Sequence, residues 1–166
     1  MTKHFRTGLG LALSLLAAPG AAMAQQPMAM PAHVDTVQSG APIHQEVDFA
    51  APPARIYEAL LDQAKFAAFS GRPATLDRAA GGAFTLFGGP ITGRNIELIP
   101  NQRIVQAWRV ANWPDGVWSI VRFELKPQGT GTRLIFDHTG FPASERDHLV
   151  AGWETNYWAP LKKYLQ

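Results

Sequence analysis

His138 is the side chain whose type and setting best suit proton chemistry. It shares strand parity with Leu134 and Phe136, so alternation turns it toward the buried face of its strand. There it can serve as a general base, as a polar anchor for a ligand, or as a structural group hydrogen-bonded at a strand end. His148 lies one turn into the following helical pattern, and the two histidines together suggest a metal pair. No third ligand of suitable spacing accompanies them, and no metal site is expected. Ser119 and Ser144 are the serines nearest these histidines in sequence, yet neither sits in a Gly-x-Ser-x-Gly turn. Gly88-Gly89-Pro90 lies between strands and opens no helix, so it does not form a phosphate-cradling loop. Arg94, Glu97, Arg109 and Asp137 read as a solvated outer face or as ion pairs between neighbouring strands. With Cys 0 in the composition, thiol catalysis, cysteine metal sites and disulfides are excluded. No catalytic constellation emerges, and no cofactor is implied.

Two further groups have ligand-binding character. Met28, Met30 and His33 offer soft ligands of the kind copper(I) takes, or they belong to an unstructured tether. The second group is aromatic: Trp108, Trp113, Trp118, Trp153, Tyr157 and Trp158 are many for a small domain. Trp108 and Trp153 read as core. Trp113, beside Pro114 in a loop, reads as the rim or lid of a pocket. Gly152 interrupts a helical pattern at a cost of about 1 kcal/mol relative to alanine. It marks either close packing of that helix on a sheet, the simpler reading, or space left for a ligand.

The elements that must position these residues are legible from periodicity. Ile43 to Phe49 alternates, with Ile43, Gln45, Val47 and Phe49 as the more apolar set, and reads as a half-buried strand. Ala51-Pro52-Pro53 starts a helix in which Ile56, Tyr57, Leu60 and Leu61 share a face, and Phe66 and Phe69 imply a second short helix. Strands are expected over Ala83–Phe87, Ile91–Ile99, Arg103–Val110, Trp118–Lys126 and Thr132–Thr139, separated by Gly, Pro and Asn turns. In the fourth of these, Ser119, Val121, Phe123 and Leu125 occupy the inner face. Ser144 is suited to cap a long final helix, with Asp147 at the reciprocal position of a capping box. Leu149, Trp153, Tyr157, Leu161 and Tyr164 trace its apolar face, and Pro160 predicts a kink.

The N-terminal stretch reads as a separate unit. Lys3, His4 and Arg6 precede an apolar run from Gly8 to Ala18, and Ala22-Met23-Ala24 has the form of a cleavage site. Residues 1–24 are therefore expected to be a secretory signal peptide, 25–41 a flexible linker and 42–166 the folded domain. The apolar run is shorter than the about 20 residues of a membrane span. Without Lys3 and Arg6 the 15 basic residues fall to 13, equal to the 13 acidic ones. No basic stripe remains for nucleic acid.

Several short motifs, in this order and spacing, carry a family resemblance. They are Ala51-Pro52, Gly81-Gly82-Ala83-Phe84, Gly93 with Glu97-Leu98 and Pro100, and Ile104 to Arg109. His138-Thr139-Gly140-Phe141-Pro142 and Gly152-Trp153 complete the set. The chain thereby resembles the START-like (SRPBCC) superfamily, and within it the family named for the activator of the ninety-kilodalton heat-shock-protein ATPase. The leader and the Met/Pro tether depart from the usual cytosolic member. The resemblance implies an α+β helix-grip fold, with a curved antiparallel sheet wrapped around a long C-terminal helix and two short helices after the first strand. It also implies a cavity between sheet and helix. The expected function is non-enzymatic binding of a small hydrophobic or amphipathic ligand by a periplasmic or secreted protein. The walls are expected to be Trp108, Val121, Phe123, Phe136, Trp153 and Tyr157, with His138 as polar anchor and Trp113 at the entrance. The alternatives are an enzyme of cyclase or hydrolase type using His138 as base, and a protein-interaction module of co-chaperone type.

Overall fold

The structure, a computed structural model, describes residues 37–166. The leader, the methionine–histidine motif and the linker up to residue 36 lie outside the described residues. Strand β1 (Ile43–Phe49) is followed by helices α1 (Pro53–Leu61) and α2 (Gln63–Ser70). Strands β2 (Thr75–Leu76), β3 (Ala83–Leu86), β4 (Ile91–Ile99), β5 (Arg103–Val110), β6 (Ser119–Gln128) and β7 (Gly131–Thr139) come next. The chain ends in helix α3 (Arg146–Trp153), a π-helical turn at Glu154–Trp158 and helix α4 (Ala159–Leu165). The strands form one seven-stranded sheet in the order β1-β7-β6-β5-β4-β3-β2, with every neighbouring pair antiparallel. This is the curved-sheet, helix-grip architecture that the sequence leads one to expect. Among the described residues, no helix is long and apolar enough to cross a membrane.

Register explains how the sheet presents two different faces. Val121 pairs with His138, Phe123 with Phe136 and Leu125 with Leu134, so β6 and β7 present these side chains to one face together. Ile104 and Trp108 of β5 join them, and all of these are buried. The alternate positions form a ladder of charges on the outer face. Arg133 bonds Asp48 at 2.9 Å, His44 bonds Asp137 at 2.7 Å, Arg122 reaches Glu124 at 3.1 Å and Arg103 bonds Glu97 at 2.7 Å. Gly93 is required where it stands, because a Cβ there would collide with the Phe84 ring and the Ala107 carbonyl.

Several local expectations need correction. Strand β2 is two residues long, too short to show a period. The stretch read as linker is tied to the domain before Ala41: Gly40 N–H donates to the Phe141 carbonyl and Ala143 N–H to the Gln38 carbonyl, both at 2.8 Å. Ser144 does not cap the last helix. It sits inside a 3₁₀ turn at Ala143–Glu145 whose entry has no side-chain cap bond. The strain of Pro160 is relieved by a widened turn before it, where Ala159 N–H bonds the Glu154 carbonyl five residues back. Pro160 then falls in the first turn of α4, where a missing N–H leaves no bond unmade. The extra residue in the π turn buries both Tyr157 and Trp158, while Tyr164, expected on the buried face, is 36% exposed and Leu165 is buried instead.

Candidate functional site

The last helix lies over the inner face of β5, β6 and β7 and closes it with aromatic rings. Trp153 contacts Phe136 at 4.3 Å between centroids, stacks on Trp108 at 5.2 Å and on Trp158 at 5.5 Å, and meets Tyr157 at 4.3 Å. Phe136 also packs edge-on to Trp158 at 5.2 Å. These separations are those of direct ring contact. The region beneath Trp153, expected to be an apolar cavity between sheet and helix, is therefore a filled core.

His138 sits inside this core with no exposed surface. The Trp153 indole N–H donates to its Nδ1 at 3.1 Å. An indole nitrogen can only donate, so Nδ1 is the bare nitrogen and the neutral imidazole carries its proton on Nε2. That N–H donates to Ser119 Oγ at 2.8 Å, and the Ser119 hydroxyl donates onward to the Trp108 carbonyl at 3.1 Å. Burial holds the His138 pKa down to about 3, which keeps the ring neutral. The chain of bonds runs in one direction from helix to sheet. It uses the only free lone pair of the imidazole, so His138 has none to accept a proton from Ser119 or to anchor a ligand. The geometry gives it a structural role, tying α3 to β6 and β5. Ser119 was the missed partner. Its polar type on an otherwise apolar inner face was the available signal.

An open cleft of about 160 Å³ remains beside the filled core, where α3 and the π turn face the β3–β4 turn and the end of β5. Phe87, Pro90, Ile91 and Val110 line it from the sheet side, with Leu149, Gly152, Trp153 and Tyr157 from the helix and Trp108 in its wall. Arg72, His148 and Asn156 are the polar lining residues, and all three side chains are solvent-exposed. Gly152 opens this space. A Cβ there would meet nothing nearer than the Asn156 amide nitrogen at 3.7 Å, so it marks room left beside the helix rather than close packing.

Of the residues expected at a binding site, the structure brings Trp108, Trp153 and Tyr157 to the cleft. Val121, Phe123, Phe136 and His138 lie in the filled core behind it. Trp113 is not on the rim: it is 4% exposed, with its carbonyl held by Arg109 Nη2 at 2.7 Å. The loop folds its ring inward, and the exposed tryptophan is Trp118. His138 and His148 do not meet, since one is interior and the other is at the cleft mouth. Among the described residues, no group of three or more His, Asp or Glu side chains converges as metal ligands.

Residues 50–166 match the family described as Activator of Hsp90 ATPase homolog 1-like protein. The human Activator of 90 kDa heat shock protein ATPase homolog 1 is 30% identical over 115 residues, which are 69% of this chain and 34% of that protein. The Dictyostelium discoideum homolog is 34% identical over 116 residues, covering 69% of this chain and 30% of its own length. The chain thus spans about a third of the curated relatives it matches. Among solved structures, an HSP90 activator from Plasmodium falciparum superposes with a TM-score of 0.71 at 26% identity, covering 76% of this chain and 96% of that one.

Proposed function

This chain belongs to the Activator of Hsp90 ATPase homolog 1-like family, and from that membership and its surface we propose that it is a protein-docking module of co-chaperone type. The observation that carries the reading is a pair of exposed apolar side chains on the outer face. Trp118 and Ile120 flank the inward-facing Ser119 and are 48% and 40% exposed. Arg122 follows on the same face of β6, and Arg109 lies one register step beyond the Trp108–Ser119 pair. Tryptophan flanked by arginine is the composition of a binding hot spot. The filled interior supports the same reading, because it leaves little space for a ligand of ordinary size.

The first partner to test is an Hsp90-class ATPase from the same cell. Adding the full chain should raise its ATP turnover. Trp118→Ser combined with Ile120→Thr should weaken the interaction about 30-fold, as expected for a hot-spot loss of ~2 kcal/mol. Absence of stimulation by the unmodified chain would remove the Hsp90 partner, and full activity of the double variant would remove the surface.

A second reading, an exported binder of a small ligand, rests on the cleft that Gly152 leaves open and on the leader-like residues 1–24. Export is tested by N-terminal sequencing of the protein recovered from its own cell. The mature chain should begin at Gln25, outside the cytosol. An intact Met1 or Thr2 start in the cytosol would discard the exported reading and place the chain beside ATP.

A further inference from the structure

We infer that the cleft beside Gly152 takes a single-ring aromatic carboxylate, with the ring held between Ile91 and Trp153 and the carboxylate at Arg72 and His148. The inference rests on the second reading above and names its ligand class.

Size is the first argument. A cavity of ~150 Å³ with apolar walls holds one benzene ring, and this cleft offers about 160 Å³. Pockets for larger ligands start at roughly 300 Å³. The occupant is therefore one ring, or an aliphatic group of that bulk.

Charge is the second argument. No carboxylate lines the cleft, whereas a guanidinium and an imidazole stand at its exposed edge. Among the described residues, neither the Arg72 nor the His148 side chain has an ion-pair partner, although most other arginines of the domain do. A planar guanidinium left free at the mouth of an apolar slot suits a carboxylate.

The site is rich in donors and lacks an anionic side chain.

The test is a chemical-shift titration of the full chain with benzoate and, separately, with benzyl alcohol, an uncharged molecule of nearly the same shape. Benzoate should bind near about 1 mM, as suits so small a ligand. It should shift the Trp108 and Trp153 indole signals and give contacts from its ring to Ile91. Benzyl alcohol should move the same signals about tenfold more weakly, because it lacks the charge-assisted bonds. Arg72→Gln with His148→Gln, both on exposed side chains, should erase the benzoate advantage and leave benzyl alcohol unchanged. Equal binding of the two molecules would overturn the carboxylate assignment while keeping the cleft as a site. Absence of shifts with either would overturn the cleft reading itself.

Discussion

Replacing Trp153 with alanine should cost the domain about 3–5 kcal/mol, the usual loss for a large aromatic removed from a core. The ring is 2% exposed and touches Trp108, Phe136, Tyr157 and Trp158, so its removal leaves a hole bounded by rigid neighbours that cannot close in. A second loss adds to the first. Without the indole N–H, His138 Nδ1 becomes a buried acceptor with no donor, a defect of about 1–3 kcal/mol. Against a typical total of about 5–15 kcal/mol, the variant should be largely unfolded at 37 °C or melt far below the parent. Urea titration followed by tryptophan emission measures this directly. Trp153→Phe separates the two contributions, since it keeps most of the ring and removes only the donor. An unchanged urea midpoint for Trp153→Ala would mean that the ring is not the keystone between helix and sheet.

The strands were readable in the sequence because β1 and β6 alternate and Gly, Pro and Asn turns separate the others. The limits of β1, β4 and β5 fall where expected, although β4 shifts register between Asn95 and Glu97 and does not keep a strict alternation. Strand parity also placed His138 and Phe136 on the inner face correctly. Parity says which way a side chain points, but not whether the space it points into is empty. The expected cavity needed that second fact. Trp153, Tyr157 and Trp158 together fill the grip, and Trp158 reaches the interior only because the π turn at Glu154–Trp158 rotates the helix by one residue. Nothing in a regular 3.6-residue period announces such a turn. Pro160 signals an irregularity without specifying its form. Gly152 was the residue that marked the real cleft, and its two meanings differ only in what stands opposite its Cα. That opposing wall comes from Phe87 to Ile91, some sixty residues earlier in the chain, and so depends on tertiary register.

Acidification from pH 6.5 to 5 should destabilise the domain through His138 alone, by about 1.6 kcal/mol in all, the slope steepening toward about 1.4 kcal/mol per pH unit. In the unfolded chain the imidazole protonates near its ordinary 6.5, whereas in the fold burial holds it down to about 3. Between those values the unfolded state binds a proton that the folded state refuses, so stability rises with pH across the window. The contribution is complete above 6.5 and is progressively lost as pH falls toward 3. Other groups with shifted pKa act elsewhere. The carboxylates of Asp48, Glu58 and Asp62, each lowered below values of 3.8 to 4.5 mainly by hydrogen bonds, lose their contribution only in more acid solution. His44 is raised, chiefly by its hydrogen bond to Asp137, so its contribution is already complete below 6.5 and fades at higher pH. His138→Gln makes the cause testable. Its amide can accept from Trp153 and donate to Ser119, yet it does not titrate. The variant should start somewhat less stable and show a flat midpoint between pH 6.5 and 5, where the parent loses about 1.6 kcal/mol. A parent whose urea midpoint does not move over that interval would show that His138 accepts a proton in the folded state. The one-directional chain from Trp153 to the Trp108 carbonyl would then be wrong, and the imidazole would again be available as a base.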